Sequence, residues 1–229
     1  MRITVTNICD FIGCRIMNLG QQFSGTHQFP PGACEEYLKT DPYETRWITY
    51  PLGPESIVVD LGAWKGDWGS QIYCRYNCFV DMYEPQPDLA RLICARFGTN
   101  YKFKIFNFAL GNVSGAIQFY NGGQNGSIYK SAGGEVKDVL IKVASDVFNS
   151  QYPLGIDLLK INVEGAEYDI LPDLIRHYDI KKVTNILIAF HSNVPGYKEK
   201  MEQIRKMLAH THRKVWGVDE VFESWERLP

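Results

Sequence analysis

The chain has 229 residues, enough for one sizeable domain with a lead-in and too few for two. Its apolar and charged fractions, 45% and 22%, are those of an ordinary globular protein. A net charge of −2 argues against a basic nucleic-acid groove, and no apolar run approaches the roughly 20 residues that span a bilayer, so neither a nucleic-acid partner nor a membrane span is expected.

Residues 1–50 show weak periodicity and breaks such as Pro30-Pro31-Gly32, and read as a lead-in packed on a domain that fills 51–229. Met1 to Gly20 has scattered apolar residues and no signal-peptide apolar core. The six cysteines, Cys9, Cys14, Cys34, Cys74, Cys78 and Cys94, have no zinc-knuckle spacing. Without an export signal they read as reduced thiols, which points to the cytoplasm.

From Ser56 a strand–helix rhythm begins. Ser56–Leu61 is a short β-branched run ending at Gly62, as a buried parallel strand requires. A helix follows over 69–76, a strand over Cys78–Glu84 stopped by Pro85, a helix over 88–97, and one alternating strand over Lys102–Leu110. Residues 111–146 carry Gly122-Gly123, Asn125-Gly126 and Gly133-Gly134 between short β-rich pieces, which predicts a β-hairpin insertion. A strand over 156–163, a helix over 168–178, a strand over 183–190 and a helix over 197–210 resume the rhythm, and short strands near Val215 and Val221 close the chain. The pattern predicts an α/β fold with a mostly parallel, doubly wound sheet.

In such sheets ligands bind beyond the carboxyl ends of the strands, near the point where strand order reverses. The residues there are therefore the candidates. The first loop, Asp60-Leu61-Gly62-Ala63-Trp64-Lys65-Gly66, lacks the G-x-G-x-x-G of dinucleotide sites. An acid followed by spaced glycines suits a nucleoside ligand whose carboxylate meets the amides of the next helix. Glu84 ends the second strand, where an acid accepts hydrogen bonds from ribose hydroxyls. Asn107 to Leu110 lie where a base would rest, with Asn107 or the backbone around Ala109 reading its edge. The densest polar group is Lys160-Ile161-Asn162-Val163-Glu164-Gly165-Ala166-Glu167, in which alternation puts Lys160, Asn162 and Glu164 on one face. His191 and Ser192 follow the next strand.

These segments together resemble the FkbM-type methyltransferases. The fourth-strand run from Asp157 to Glu167 is similar to that family's Lys-Ile-Asp-Val-Glu-Gly-Ala-Glu signature, Val59-Asp60-Leu61-Gly62-Ala63 to its cofactor loop, and Tyr83-Glu84-Pro85 to its ribose turn. Ala109-Leu110-Gly111 and Asn125-Gly126-Ser127 are similar to later family segments. Two positions depart: Trp64 stands where the family usually has Asn, and Asn162 where it usually has Asp.

The resemblance implies the class I, Rossmann-like methyltransferase fold and S-adenosylmethionine as cofactor, held by Asp60, Gly62, Ala63, Trp64, Gly66, Glu84, Asn107 and Ala109. It implies O-methylation of a glycan or small hydroxylated metabolite. His191 is then the expected general base, with Glu164 as its partner or as a group that binds the acceptor, and Asn162 positioning the acceptor. No metal is expected, because Asn162 removes a carboxylate. A homodimer is compatible with this reading. The alternative is a non-catalytic module that binds S-adenosylmethionine.

Overall fold

The structure, a computed structural model, describes residues 45–121, 135–218 and 221–229. The lead-in up to residue 44, with Cys9, Cys14 and Cys34, lies outside the described residues. So do Gly122-Gly123, Gly133-Gly134 and the family-like Asn125-Gly126-Ser127.

The elements in chain order are β1 (Ile57–Leu61), α1 (Asp67–Tyr76), β2 (Phe79–Tyr83), α2 (Pro87–Phe97), β3 (Phe103–Phe106), β4 (Ala109–Gly111), β5 (Gly115–Asn121), β6 (Glu135–Val143), α3 (Ala144–Gln151), β7 (Ile156–Ile161), α4 (Glu167–His177), β8 (Val183–Ala189), α5 (Tyr197–Leu208), β9 (His212–Val218) and β10 (Phe222–Arg227). Seven strands form the main sheet in the order β3-β2-β1-β7-β8-β10-β9. The first five in that order run parallel, while β10 runs antiparallel to both β8 and β9. Strand order reverses between β1 and β7, the place at which open sheets of this kind bind ligands.

Both sheet faces are covered because both strand faces are apolar. Val59, Leu61, Leu159 and Ile161 pack into one cluster with α4 and α5 residues such as Leu171, Leu174 and Ile204. Val58, Val80, Met82 and Leu158 pack into a second with Trp68 and Ile72 of α1 and Ile93 of α2. Each such side chain contributes about 1.5–3 kcal/mol on burial. Trp47 and Tyr50 join the second cluster: Trp68 Nε1 donates to the Trp47 carbonyl at 3.1 Å, and the Tyr50 and Ser224 hydroxyls lie 3.2 Å apart.

A smaller sheet, in the order β4-β6-β5, holds β6 parallel to β4 and antiparallel to β5. The residues joining β5 to β6 are not among those described.

Two elements differ from the sequence reading. The strand expected over Lys102–Leu110 is split into β3 and β4. The Asn107 side chain, between them, donates to the carbonyls of Glu84 at 2.9 Å and Pro85 at 3.0 Å. A side-chain bond there replaces the ladder and lets β4 leave for the smaller sheet. Helix α3 is not visible in the sequence pattern. It is short and carries Asp146, Asn149 and Ser150, all poor helix formers, and it is held by tertiary contacts: Ala144 and Phe148 are fully buried, and the Ser145 amide donates to Asp173 at 2.7 Å.

Candidate functional site

The loop after β1 is built around Gly62, whose φ is +77°. A Cβ there would overlap the Asn162 carbonyl oxygen, so no other residue fits without moving the β7 end. The amides of Gly62 and Ala63 both donate to the Tyr83 carbonyl, at 3.0 and 3.1 Å, and the Asn162 amide donates to Leu61 at 3.0 Å. The carboxyl ends of β1, β2 and β7 are thereby tied together. Gly66, at φ +79°, precedes α1 and supplies no capping side chain.

Asp60 and Lys160 are direct partners in the register of β1 and β7. Lys160 Nζ bonds Asp60 Oδ1 at 2.6 Å and the Gly62 carbonyl at 3.0 Å, and lies 5.5 Å from the Trp68 ring centroid. Both side chains are almost wholly buried. Burial pushes the Asp60 carboxyl up against the opposing pull of Lys160. Asp60 Oδ2 is buried without a hydrogen-bond partner.

Glu84 is also buried. Its carboxylate accepts the Trp64 amide at 2.8 Å and the Gln86 amide at 2.9 Å, one on each oxygen. Burial raises its pKa to about 7 against the effect of those two amides. Trp64 has a left-handed backbone at φ +52°, and Lys65 Nζ sits 4.2 Å from its ring centroid. Asn107 braces the turn after β2 through its side-chain NH2, so that group is engaged by backbone carbonyls rather than open to a base. Ala109 lies in β4, paired with Ile141. The aromatic surface beside these positions is Phe106, stacked on Tyr83 at 4.5 Å, and Phe108, edge-on to both.

The polar segment after β7 departs from the expected alternation. β7 ends at Ile161, and Glu164 sits in the following turn with φ +57°. Lys160 therefore faces Asp60 while Asn162 and Glu164 belong to the turn, and the three do not share one strand face. The Oδ1 of Asn162 is buried without a partner.

His191 lies in the same cluster and has almost no exposed surface. Its backbone amide and Nδ1 both bond Glu167 Oε1, at 2.8 and 3.0 Å, and its Nε2 lies 3.5 Å from Glu164 Oε1. The Tyr168 hydroxyl donates to its carbonyl at 3.0 Å. Burial alone would push the imidazole pKa down, but the charges of Glu164 and Glu167 override it and raise it to about 10. That changes the reading of His191. An imidazolium has no lone pair to offer near neutral pH, and Glu164 is the more exposed of the two carboxylates beside it. Glu167 was not among the sequence candidates. Its only signal was its place in the Glu-Gly-Ala-Glu run.

These features suit S-adenosylmethionine. Glu84 keeps a second lone pair on each oxygen for ribose hydroxyls, the start of α1 has no side-chain cap to compete for a carboxylate, and Asp60 Oδ2 lacks a donor. Among the described residues no group of three or more His, Cys, Asp or Glu side chains could hold a metal ion, and no helix is long and apolar enough to cross a membrane.

The fold is that of a class I methyltransferase. Residues 60–215 match the Methyltransferase FkbM domain, and the chain belongs to that family, an S-adenosylmethionine-dependent class. No curated protein matches the sequence significantly. An FkbM methyltransferase from Methylobacillus flagellatus is similar in structure at 12% identity and a TM-score of 0.52, covering 86% of this chain and 53% of that one. This chain thus spans about half the length of that relative. A putative rRNA-methylase from Clostridium thermocellum is similar at 9% identity and TM-score 0.49, covering 89% of this chain and 98% of that one. The Methanococcus jannaschii fibrillarin pre-rRNA processing protein is similar at 14% identity and TM-score 0.47, covering 78% and 69%.

The expectation of no nucleic-acid partner does not stand: structures described as an rRNA-methylase and a pre-rRNA processing protein are among those similar to this chain. Net charge is a sum over the whole chain and does not describe the surface on which an acceptor docks.

Proposed function

We propose that this chain transfers a methyl group from S-adenosylmethionine to a hydroxyl oxygen, with a glycan or small hydroxylated metabolite as acceptor. The observation that carries the reading is the acceptor-rich cluster beside the strand-order reversal. Glu164 is braced by His191, and Asn162 Oδ1 is buried without a donor. A hydroxylated molecule supplies the O–H group that Asn162 Oδ1 lacks. The cofactor supplies an activated methyl group on a sulfonium. Glu164 takes the hydroxyl proton, His191 orients Glu164, Asn162 accepts a hydrogen bond from the acceptor, and burial of the cluster keeps water out. Glu84 holds the ribose, Gly62, Ala63 and Gly66 let the cofactor approach the backbone, and Asp60 orders their loop through Lys160. Trp64, Asn107 and Ala109 form the rim around the base.

The test is mass spectrometry after incubation with isotopically labelled S-adenosylmethionine, with glycan, metabolite and RNA fractions offered separately. Label on a hydroxyl of a glycan or metabolite supports the reading. Label only on RNA, or on nitrogen or carbon, removes it. S-adenosylhomocysteine binding with no transfer to any fraction favours a non-catalytic module, the reading that the Asn162 departure supports.

Two further outcomes are expected. Calorimetry should show Glu84→Ala weakening S-adenosylhomocysteine binding by about 1–3 kcal/mol through loss of ribose hydrogen bonds. Because the Glu84 pKa is raised to about 7, wild-type affinity should rise as pH passes upward through that value, when the carboxylate becomes a full acceptor. A flat pH profile would remove Glu84 from the site. Turnover should also survive chelation, since the proposed chemistry uses no divalent ion. Loss of activity with EDTA, restored by magnesium or manganese, would refute this.

A further inference from the structure

We infer that Glu167 is a positioning residue for methyl transfer: its carboxylate, hydrogen-bonded to both the turn that presents Glu164 and the imidazole of His191, sets the ring so that its ion pair with Glu164 holds that side chain toward the acceptor. The inference rests on the reading of Glu164 as proton acceptor.

Glu167 opens α4 and has no exposed surface. A carboxylate in that position is costly unless its oxygens are met by donors. Three donors meet it. Oε2 accepts the Gly165 amide at 2.9 Å, while Oε1 accepts the His191 amide at 2.8 Å and His191 Nδ1–H at 3.0 Å.

Each bond restrains a different part of the site. The Gly165 bond grips the turn in which Glu164 and Gly165 have φ of +57° and +110°. The two His191 bonds set both the chain after β8 and the ring itself. With Nδ1–H committed to Glu167, the opposite nitrogen is directed at Glu164 Oε1, 3.5 Å away. Which ring nitrogen carries a proton, and where it points, is decided by the bond the other one makes. The charged groups facing the imidazole are Glu164 from the turn after β7 and Glu167 from α4, and together they account for a pKa raised to about 10 despite burial.

A plain structural role would make Glu167 only a brace for the start of α4. Glu167→Gln separates the two. The substituted side chain keeps its size but turns an NH2 group toward one of three donors, and it removes the charge that holds His191 protonated. In the full-length variant, S-adenosylhomocysteine affinity by calorimetry should stay near wild type. The His191 pKa, followed by NMR of its Cε1–H, should fall from about 10 toward the ordinary 6.5. Turnover per folded molecule should drop by about tenfold or more, and the alkaline limb of its pH profile should move toward neutrality. Glu167→Asp, which restores charge but not reach, should recover part of the His191 shift.

A lower melting temperature with unchanged His191 titration and unchanged turnover would overturn the positioning role. If Glu167→Gln does not fold, titration of His191 in the wild type decides: a value near 6.5 overturns the ion pair and a value near 10 supports it. A wild type that transfers methyl to no acceptor would overturn the proposed function and the positioning role with it. An active wild type beside an indifferent Glu167→Gln would overturn the positioning role alone.

Discussion

Glu164→Gln should lower turnover by about 100-fold or more while leaving S-adenosylhomocysteine affinity near that of the wild type. The amide keeps the shape of the side chain but has no strong base to offer, and it cannot hold its place against an imidazolium by charge. General-base catalysis contributes about 100- to 10,000-fold, so the lower bound is the expected loss. The effect belongs in kcat rather than in cofactor binding, because the proposed cofactor contacts lie at the loops after β1 and β2. Steady-state kinetics over a range of acceptor concentrations, with calorimetry on the same preparation, reads both. A loss of only a few fold would mean that transfer depends on proximity alone, with solvent taking the proton.

The second large effect concerns stability. Lys160→Met should cost about 3–5 kcal/mol, because it leaves the Asp60 carboxylate buried and without its cation. For a chain of this size that corresponds to a fall in melting temperature of roughly 6–20 °C. Adding Asp60→Asn to Lys160→Met should recover a large part of the loss, since the uncompensated charge is then gone. Thermal melts of the two variants and the wild type suffice. A single-variant loss below about 1 kcal/mol, the range of an exposed pair, would show that the Lys160–Asp60 bridge is solvated.

Much of the architecture was legible in the residues. The runs Ser56–Leu61, Cys78–Glu84, Ile156–Val163 and Val183–Phe190 each contain an observed parallel strand, because strands covered on both faces must be apolar throughout. The loop around Gly62 was legible because its approach to Asn162 admits no side chain. The break at Asn107 was not, since an alternating run gives no sign that a side-chain amide will replace the ladder. Helix α3 was missed because its stability comes from Phe148 in the core and from Asp173, neither of which is a local propensity.

By itself the sequence determined the strand–helix order and the set of polar residues at the carboxyl ends, both being consequences of local pattern. Tertiary structure alone decided their partnerships. Lys160 meets Asp60 across 100 residues of chain, and Glu167 meets His191 across 24. It also decided charge, raising the His191 pKa to about 10 beside Glu164 and Glu167. Protonation depends on burial and on the distances between charged groups, and those exist only once distant segments have packed together.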